Sequence, residues 1–416
     1  MRRRITLAAA LAAAVTLVAG GGVYVASEGE SPPPPAATAN LWVVEGAPGR
    51  TCDSTPTRQA TPVGWAVAPP SARACSLRQA YDAARSGDTI RVRAGVYPVQ
   101  AFAGGRDPAT GNNTPVGASG VTFIGEPSTT IRQLIVGGSG ITLDGFDIGG
   151  SGKDVALDMG TAGGTLRNSR VGGVVDNKGA IMGAPHQTID HVDFHDVTYS
   201  GAGDVHGECL FITAPDHLVL RDSTFTNCFV MDVLMSTGVY DVAFGHVRLE
   251  NNVFGHSTTG SAGATWAAYA FLVGSTAPGA GLPACAQNRD DAGAVWLDGW
   301  RVVNNTFENG VLAGSGNGCG LRSVWANNIG TGWPCMDGVT FTGNVGTACS
   351  RTDTPASPCS KASCPFGFAD RGRWNFHLAG HSPAIGAADP AYATKADRDG
   401  QPRDSHPDAG AYERVG

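Results

Sequence analysis

Short segments of alternating hydrophobic and polar residues recur along the chain from residue 121 onward. Each segment begins at an aliphatic residue, passes through a polar or Asn/Asp turn, and closes at a second aliphatic residue or a Phe. The segments are Leu143–Ile148, Leu166–Val171, Ile189–Phe194, Leu220–Phe225, Leu249–Phe254, Val302–Phe307 and Val324–Ile329. Successive closing residues lie 23, 23, 31, 29, 53 and 22 positions apart. Brief strands repeated at such intervals predict a solenoid, in which stacking of the coils buries their inward faces.

Three asparagines fall two residues before a closing position, namely Asn252, Asn305 and Asn327. This repetition predicts a ladder in which each side-chain amide bonds to the coil above and the coil below. The alternative is that Asn stands there only because it favours turns.

Residues 76–86 are predicted to form an amphipathic helix in front of the first coil. Ser76 and Gln79 have the spacing of a capping box, and Gly87 stops the helix. Its apolar face comprises Leu77, Ala80, Tyr81 and Ala84. A strand is expected over residues 88–97. Because the end of a solenoid needs a cover over its core, this helix is expected to be an N-terminal cap.

Two terminal segments resemble those of a known superfamily. The stretch SLRQAYDAARSGDTIRVRAGVYP resembles the N-terminal segment of secreted right-handed parallel β-helix proteins, the pectate-lyase-like superfamily, and SPAIGAADPAYATKADRDGQPRDSHPDAGAYE resembles their closing segment. The resemblance implies an all-β, single-stranded, right-handed parallel β-helix over residues 40–416, closed by an irregular segment over residues 365–416. It implies little about activity, because the superfamily includes polysaccharide lyases, glycoside hydrolases and members without known catalysis.

Composition narrows the class of protein. Glycine accounts for 59 of 416 residues and charged residues for only 16%, which argues against long salt-bridged helices and coiled coils. A net charge of −7 gives no basic field to attract nucleic acid. The same charge would repel a polyanionic substrate unless a cation or a local basic group intervened.

The N-terminus has the pattern of an export element. Arg2, Arg3 and Arg4 precede an uncharged apolar run from Ile5 to Ala26, so residues 1–26 are expected to be a signal peptide or a membrane anchor. Residues 27–39 are Pro-rich and predict an extended linker. We therefore expect a secreted or surface-anchored monomer that touches the membrane only through its N-terminal segment and has no nucleic-acid partner.

The ten cysteines favour disulfides, because an exported chain without paired CxxC motifs and matching histidines is not typical of a zinc protein. Sequence order suggests Cys52 with Cys75 and Cys209 with Cys228, although ten cysteines leave the connectivity open. Four further cysteines indicate a disulfide-stapled loop or cap: Cys335, Cys349, Cys359 and Cys364.

Candidate chemistry lies where the repeat is interrupted, because insertions into a regular array become loops that can line a cleft. An insertion between Phe194 and Phe225 carries five ionisable residues: His195, Asp196, Asp204, His206 and Glu208.

We aligned the middle strands of successive coils on their apolar residues. The inward residues are expected to be Val155, Gly179, Cys209, Val233, Leu157, Ile181, Phe211 and Met235. The outward column is then Asp154, Lys178, Glu208 and Asp232, and Asp176 and His206 lie on the same face two residues upstream.

Two mechanisms are compatible with this column. In a lyase, Glu208 and Asp232 would hold a calcium ion that neutralises a uronate carboxylate, and Lys178 or His206 would remove the C5 proton. In a hydrolase, two carboxylates among Asp154, Glu208 and Asp232 would be acid and base or nucleophile. The predicted catalytic residues are Lys178, His206, Glu208 and Asp232, and the predicted substrate-binding residues are Asp154, Asp176, His195 and Asp204.

The family motifs of these enzymes are not reproduced closely. "GEC" is weakly similar to the metal-site strands of alginate and chondroitin lyases, in which the catalytic lysine follows the strand, whereas Lys178 precedes it.

Structural interpretations stand beside the catalytic one. The charges could form a solvated column, and His206 could be a hydrogen-bonded surface residue. The other histidines have no carboxylate partner that the sequence indicates and are interpreted as structural: His186, His191, His217, His246 and His256. The predicted function is binding and cleavage of an extracellular polysaccharide, and the alternative is a non-catalytic glycan-binding or adhesive rod.

Overall fold

The computed structural model describes residues 39–43, 73–102, 117–152, 154–200, 207–235, 245–255, 269–273, 296–308, 311–313, 319–330, 335–347, 349–354 and 366–414. All of them belong to one compact unit, Ala37–Gly416. The predicted signal peptide or anchor and nearly all of the predicted linker lie outside these residues, so both stay predictions. No helix in the described ranges is long and apolar enough to cross a bilayer.

Strands are the main regular structure of the described chain, and they form two large sheets and one small one. The largest sheet contains β1 (Ala39–Val43), β2 (Arg73–Ala74), β3 (Thr89–Val92), β4 (Gly95–Tyr97), β6 (Thr122–Gly125), β7 (Thr129–Ile131), β9 (Thr142–Asp144), β10 (Asp147–Gly152), β12 (Thr165–Val175), β14 (Thr188–Thr198), β16 (Val219–Arg221), β17 (Thr224–Cys228), β19 (Arg248–Glu250), β20 (Val253–Phe254), β22 (Trp296–Asp298), β23 (Arg301–Val303), β24 (Thr306–Phe307), β26 (Cys319–Ala326) and β27 (Asp337–Thr342). The second sheet contains β5 (Gln100–Phe102), β8 (Leu134–Val136), β11 (Leu157–Met159), β13 (Ala180–Met182), β15 (Glu208–Ile212), β18 (Met231–Met235), β21 (Tyr269–Val273) and β25 (Val311–Ala313). The short strands β28 (Phe368–Asp370) and β29 (Asn375–Leu378) form an antiparallel pair.

Every pairing between coils is parallel, and each strand pairs with its counterpart one coil away. Strands β12 and β14 are 11 residues long and run through two faces of the largest sheet, and the second sheet forms a third face. This is the right-handed parallel β-helix predicted from the sequence, and the prediction is confirmed.

The repeated hydrophobic positions form the core in the predicted register, except in the last segment, Val324–Ile329. There Val302 pairs with Trp325, so this segment is displaced by one residue. The closing residues Phe194, Phe225, Phe254 and Phe307 pair on successive coils. Their rings stack with centroid distances of 4.8, 5.1 and 4.6 Å. All four side chains are buried, and stacked aromatic pairs add to the stabilisation from burial alone. Each interval between closing residues therefore corresponds to one coil of the solenoid.

The asparagine ladder exists, with one correction. Asn252, Asn305, Asn328 and Asn344 are fully buried, and each amide nitrogen donates to the side-chain oxygen on the next coil at 2.9–3.1 Å. The prediction is right for Asn252 and Asn305 but wrong for Asn327, since its neighbour Asn328 occupies the ladder. Adjacent asparagines made the two positions indistinguishable in the sequence.

Asn327 belongs to a second series, together with Asn251 and Asn304, in which each residue precedes a ladder asparagine. All three have positive φ, between 54° and 60°, a conformation that Asn tolerates better than most residues. Their side chains bind the C-terminal segment, for example Asn251 Nδ2 to Ala396 O at 3.0 Å and Asn327 Nδ2 to Asp389 O at 3.0 Å. Paired asparagines thus bond the coils to one another and hold the closing segment.

The capping helix α1 spans Leu77–Ala83, so it is present but shorter than predicted. Ser76 Oγ accepts from Gln79 N at 3.2 Å, as the capping box requires. The helix ends at Ala84, whose backbone is extended. Tyr81 packs on Phe102 with a centroid distance of 4.9 Å, which closes the N-terminal end of the core.

Two disulfides lie in the described residues. Cys209 pairs with Cys228, as predicted, and Cys335 pairs with Cys349 inside the predicted stapled region. Cys52, Cys359 and Cys364 lie outside the described residues, so the Cys52–Cys75 bridge stays a prediction.

Replacing Asn305 by Ala should destabilise the fold strongly. Asn305 Oδ1 accepts from both Asn252 N and Asn252 Nδ2, and the change removes both of these buried bonds. Each such buried loss costs about 1–3 kcal/mol, so urea unfolding should show a free energy lower by at least about 2 kcal/mol. Asn375→Ala is the control, because Asn375 is exposed and bonds only within its own hairpin turn. Equal effects of the two changes would contradict a stabilising ladder.

Candidate functional site

Five charged residues meet at the corner where strands of the largest sheet turn into the second sheet. Lys178 lies two residues before β13, Glu208 begins β15, Asp232 lies in β18, and Glu308 directly follows β24. Arg371 reaches the same corner from a short 3-10 turn, Arg371–Arg373, in the closing segment. We call these five residues the corner cluster.

Lys178 and Glu208 form the first half of the cluster. The distance from Lys178 Nζ to Glu208 Oε2 is 3.5 Å, and the two side chains are 20% and 0% exposed. Nζ also lies 5.4 Å from the centroid of the Phe211 ring, within the range of a cation–π contact. The lysine ammonium is therefore held between a buried carboxylate and an aromatic face. Of the two charged side chains, only that of Lys178 is exposed to solvent.

Asp232, Glu308 and Arg371 form the second half. The guanidinium of Arg371 pairs with Glu308 Oε1, whereas Glu308 Oε2 is buried without a hydrogen-bond partner among the described residues. Burial raises the pKa of Glu308 to about 8; the charge of Asp232 adds to this rise and Arg371 opposes it. Glu308 is therefore mainly protonated at neutral pH, and its neutral carboxyl carries a proton that it could donate.

The closing segment fixes Arg371 by packing against a glycine. Gly255 lies one rung from Glu308, since Phe254 pairs with Phe307. A Cβ on Gly255 would lie 3.0 Å from the Phe376 ring and 3.1 Å from the Trp374 ring, closer than real contacts normally allow. The absence of a side chain at this position lets the segment that carries Arg371 lie directly on the coil.

The predicted outward column is correct only in part. Counting back from the pairing of Ala180 with Leu210 places Lys178 opposite Glu208, as expected. Asp232 follows Met231, which is the partner of Glu208, so Asp232 is displaced by one position. Asp154, counted back from Leu157 in the same way, lies opposite Asn177.

Three inward assignments are wrong, and the first is Val155, which is partly exposed. Ile181 and Phe211 are partly exposed, whereas their neighbours Ala180 and Met182, and Leu210 and Ile212, are buried in the core. Both phases of these strands are apolar, so the alternation alone could not select the inward one. Glu208 and Asp232 were expected on an exterior wall, but both are fully buried.

The other predicted site residues are dispersed. Asp176 accepts from Ser200 N at 2.7 Å, and His195 Nδ1 lies 3.0 Å from Asp196 Oδ2. Asp154 is exposed. Asp204 and His206 lie outside the described residues, so their roles stay predictions.

Sequence reasoning missed Glu308 and Arg371. Glu308 follows the closing residue Phe307, and its equivalents on earlier coils are Gly255, Thr226 and His195. Among these four aligned residues, Glu308 alone carries a carboxylate. This difference could have been noticed in the sequence. Arg371 comes from the irregular segment, where no repeat indicates which coil it meets.

The corner suits calcium poorly. Calcium takes six to eight oxygen ligands, whereas the carboxylates of Glu208 and Glu308 already pair with Lys178 and Arg371. A calcium ion bound by Glu208 and Asp232 would compete with these cations. The calcium site predicted from the sequence stays untested, and no chemical step is derived through it.

No family model matches the chain. No curated protein is detectably similar to it in sequence. Among solved structures, pectate lyase Pel9A has a TM-score of 0.46 and 13% identity over 82% of this chain and 91% of that one. A mannuronic acid specific polysaccharide family 6 lyase from human gut microbiota has a TM-score of 0.28 and 12% identity over 64% of this chain and 79% of that one. The pectin methylesterase from Aspergillus niger has a TM-score of 0.27 and 12% identity over 80% of this chain and 94% of that one.

These similarities concern the fold and assign no residue a role. The β-helix follows from the strand register of this chain alone, and this register confirms the fold that the terminal segments implied.

The raised pKa of Glu308 predicts a stability that depends on pH. The folded protein keeps this proton up to about pH 8, whereas the unfolded chain releases it near the ordinary value of 4.5. Since the folded state then binds more protons, this group makes the free energy of unfolding fall as pH rises between these values, by at most about 1.4 kcal/mol per pH unit. Glu308→Gln should remove that contribution, as measured by urea unfolding at about pH 5 and about pH 8.

Glu126→Gln is the control. Glu126 is also a glutamate paired with arginine, at 3.2 Å from Arg91, but it lies elsewhere on the solenoid. This variant should keep the wild-type pH dependence. If the Glu308→Gln variant and the wild type lose the same free energy between the two pH values, Glu308 is ionised in the folded state and the assignment is wrong.

Proposed function

We propose that the protein binds and cleaves an extracellular acidic polysaccharide at the corner cluster, by β-elimination. The observation that carries this proposal is the layering of charge at the corner. Lys178 and Arg371 are 20% and 19% exposed, whereas the side chains of Glu208 and Glu308 are 0% and 1% exposed. A ligand arriving from solvent therefore meets two cations, with the carboxylates beneath them.

Two accessible cations fit a uronate sugar. A guanidinium can bind a carboxylate through two parallel hydrogen bonds, so Arg371 is suited to hold the uronate carboxylate. Neutralisation of the uronate carboxylate makes the adjacent C5 proton more acidic. These cations also offset locally the repulsion that the net charge of −7 would exert on a polyanion.

Lys178 is the candidate base. In its amine form, Nζ takes the C5 proton; the C5 electron pair forms the C4–C5 double bond, and the bond from C4 to the glycosidic oxygen breaks. The leaving oxygen takes a proton from solvent, because the Glu308 side chain is 1% exposed and does not reach it. Glu208, at 3.5 Å from Nζ, stabilises the ammonium that forms on Lys178.

Hydrolysis fits the corner less well. A glycosidase needs two carboxyl groups that flank the bond and reach it directly. The candidates Glu208 and Asp232 are fully buried, and Asp154 lies on a different rung position. The burial of the carboxylates therefore favours elimination over hydrolysis.

A non-catalytic glycan-binding rod is the second candidate function. The same two cations would bind acidic sugars without a base, and the regular stack of coils suits an extended surface. The two functions differ in cleavage, because the enzyme would cleave the polysaccharide and the rod would only bind it.

The purified protein should release unsaturated products from at least one polyuronate, such as polygalacturonate, polymannuronate or polyguluronate. Products are followed by ultraviolet absorbance and, separately, by reducing ends, with and without a calcium chelator. Lys178→Ala should lower kcat by roughly 10²–10⁴-fold, the contribution typical of a positioned base. Arg371→Lys should mainly raise KM, because lysine keeps the charge but loses the bidentate geometry.

Matched controls are available for both variants. Lys395→Ala removes an exposed lysine of the closing segment, and Arg373→Ala removes an arginine that is 88% exposed two residues from Arg371. Both should keep wild-type kinetics. Reducing ends without unsaturated products would establish hydrolysis instead, and binding without either product would establish the rod. Full activity of Lys178→Ala would exclude Lys178 as the base.

A further inference from the structure

Three histidines form a column at another corner of the solenoid. His186, His217 and His246 lie on successive coils, and all have positive φ, between 54° and 58°. Their rings stack with centroid distances of 4.6 and 4.4 Å. On its coil, His186 follows β13 whereas Lys178 precedes it, so the histidine column and the corner cluster lie at opposite ends of the same strand.

Asp216 places a carboxylate beside the imidazoles of this column. Its Oδ2 lies 3.0 Å from His217 Nδ1, and its Oδ1 lies 4.0 Å from His246 Nδ1. One ligand atom each of His186, Asp216 and His217 lies within 4.8 Å of the others. These ion pairs correct the interpretation of His217 and His246 as residues without a carboxylate partner.

We propose that His186, Asp216, His217 and His246 bind a divalent transition-metal ion of the Zn²⁺ or Cu²⁺ type. Imidazole nitrogens with one carboxylate oxygen are ligands that such ions prefer, whereas calcium and magnesium prefer sites made of oxygen alone. This site is separate from the corner cluster and does not rest on the proposed cleavage of polysaccharide.

The ligand atoms have only a short distance to move to reach an ion. Zinc–nitrogen bonds of about 2.0–2.1 Å put tetrahedral ligand atoms about 3.3 Å apart. The ligand atoms of His186, Asp216 and His217 lie up to 4.8 Å apart, so they must approach by about 1.5 Å. The rings of His217 and His246 are about half exposed, at 46% and 48%, and can turn towards Asp216. The coils themselves hold the ligands in register, which reduces the ordering that binding requires.

A neighbouring cluster shows why this one is favoured. Asp190, His191 and Asp222 are similarly close, but Arg221 Nη2 lies 2.7 Å from Asp190 Oδ2, and Asn251 donates to Asp222 at 3.0 Å. A metal there would have to displace a bound arginine. In the described part of the chain, the ion pairs of Asp216 are with imidazoles only, and neutral imidazoles are themselves metal ligands.

Titration of the untagged, metal-free protein with zinc chloride in a calorimeter tests the proposal. One zinc ion should bind per chain, and both His217→Asn and Asp216→Asn should weaken this binding at least tenfold. Asparagine is chosen for position 217 because it tolerates the left-handed backbone found there. With Cu²⁺ in place of zinc, electron paramagnetic resonance should show hyperfine coupling to at least two imidazole nitrogens, and this coupling should lose one nitrogen in His217→Asn.

His377→Asn is the matched control, since His377 is another exposed histidine paired with a carboxylate, at 2.8 Å from Asp399. It should bind zinc as the wild type does. Circular dichroism of each variant shows whether the solenoid is intact, and the copper spectrum of wild type needs no variant at all. Absence of zinc binding by wild type at millimolar concentration would overturn the proposal, as would unchanged affinity in both His217→Asn and Asp216→Asn.

Discussion

Parallel hydrogen bonding between successive coils is the constraint on which the rest of this structure depends. It places residues far apart in the sequence on adjacent rungs, so that like side chains stack with like. The aromatic stack from Phe194 to Phe307, the asparagine ladder and the histidine column all follow from this geometry. Repetition stabilises each column, because an amide or a ring in one coil contacts the same kind of group in the next coil. The coils in turn are stabilised by the columns inside them.

The same geometry concentrates charge at the corner cluster. Three buried carboxylates within a few rungs would repel one another strongly if all were ionised. The chain meets this cost in two ways. Lys178 pairs with Glu208, and burial keeps a proton on Glu308, whose carboxyl contacts Arg371. Buried ion pairs of this kind contribute little net stability, so their retention is more readily explained by what they present to solvent than by what they add to the fold.

The sequence was sufficient to predict the fold and only part of the site. The closing residues of the repeat, the capping helix and the Cys209–Cys228 pair could be identified because each depends on local pattern or short spacing. The pairing of Lys178 with Glu208 also followed from the rung alignment. The phase of the middle strands did not, because Ile181 and Phe211 are as apolar as the residues beside them, and Asp232 was displaced by one position for the same reason. Arg371 was beyond sequence reasoning, since its position depends on how an irregular segment folds back onto coils more than sixty residues earlier.

The closing segment has a consequence for how the protein matures. Its anchors on Asn251, Asn304 and Asn327 require the last coils to exist already, since all three asparagines belong to finished turns. A chain that is synthesised from its N-terminus would complete its coils before residue 371 arrives. Glu308 would therefore wait without its guanidinium partner until the final stretch docks. Docking of the closing segment and assembly of the charged corner become a single event, so an unfinished chain would present coils with an incomplete corner cluster.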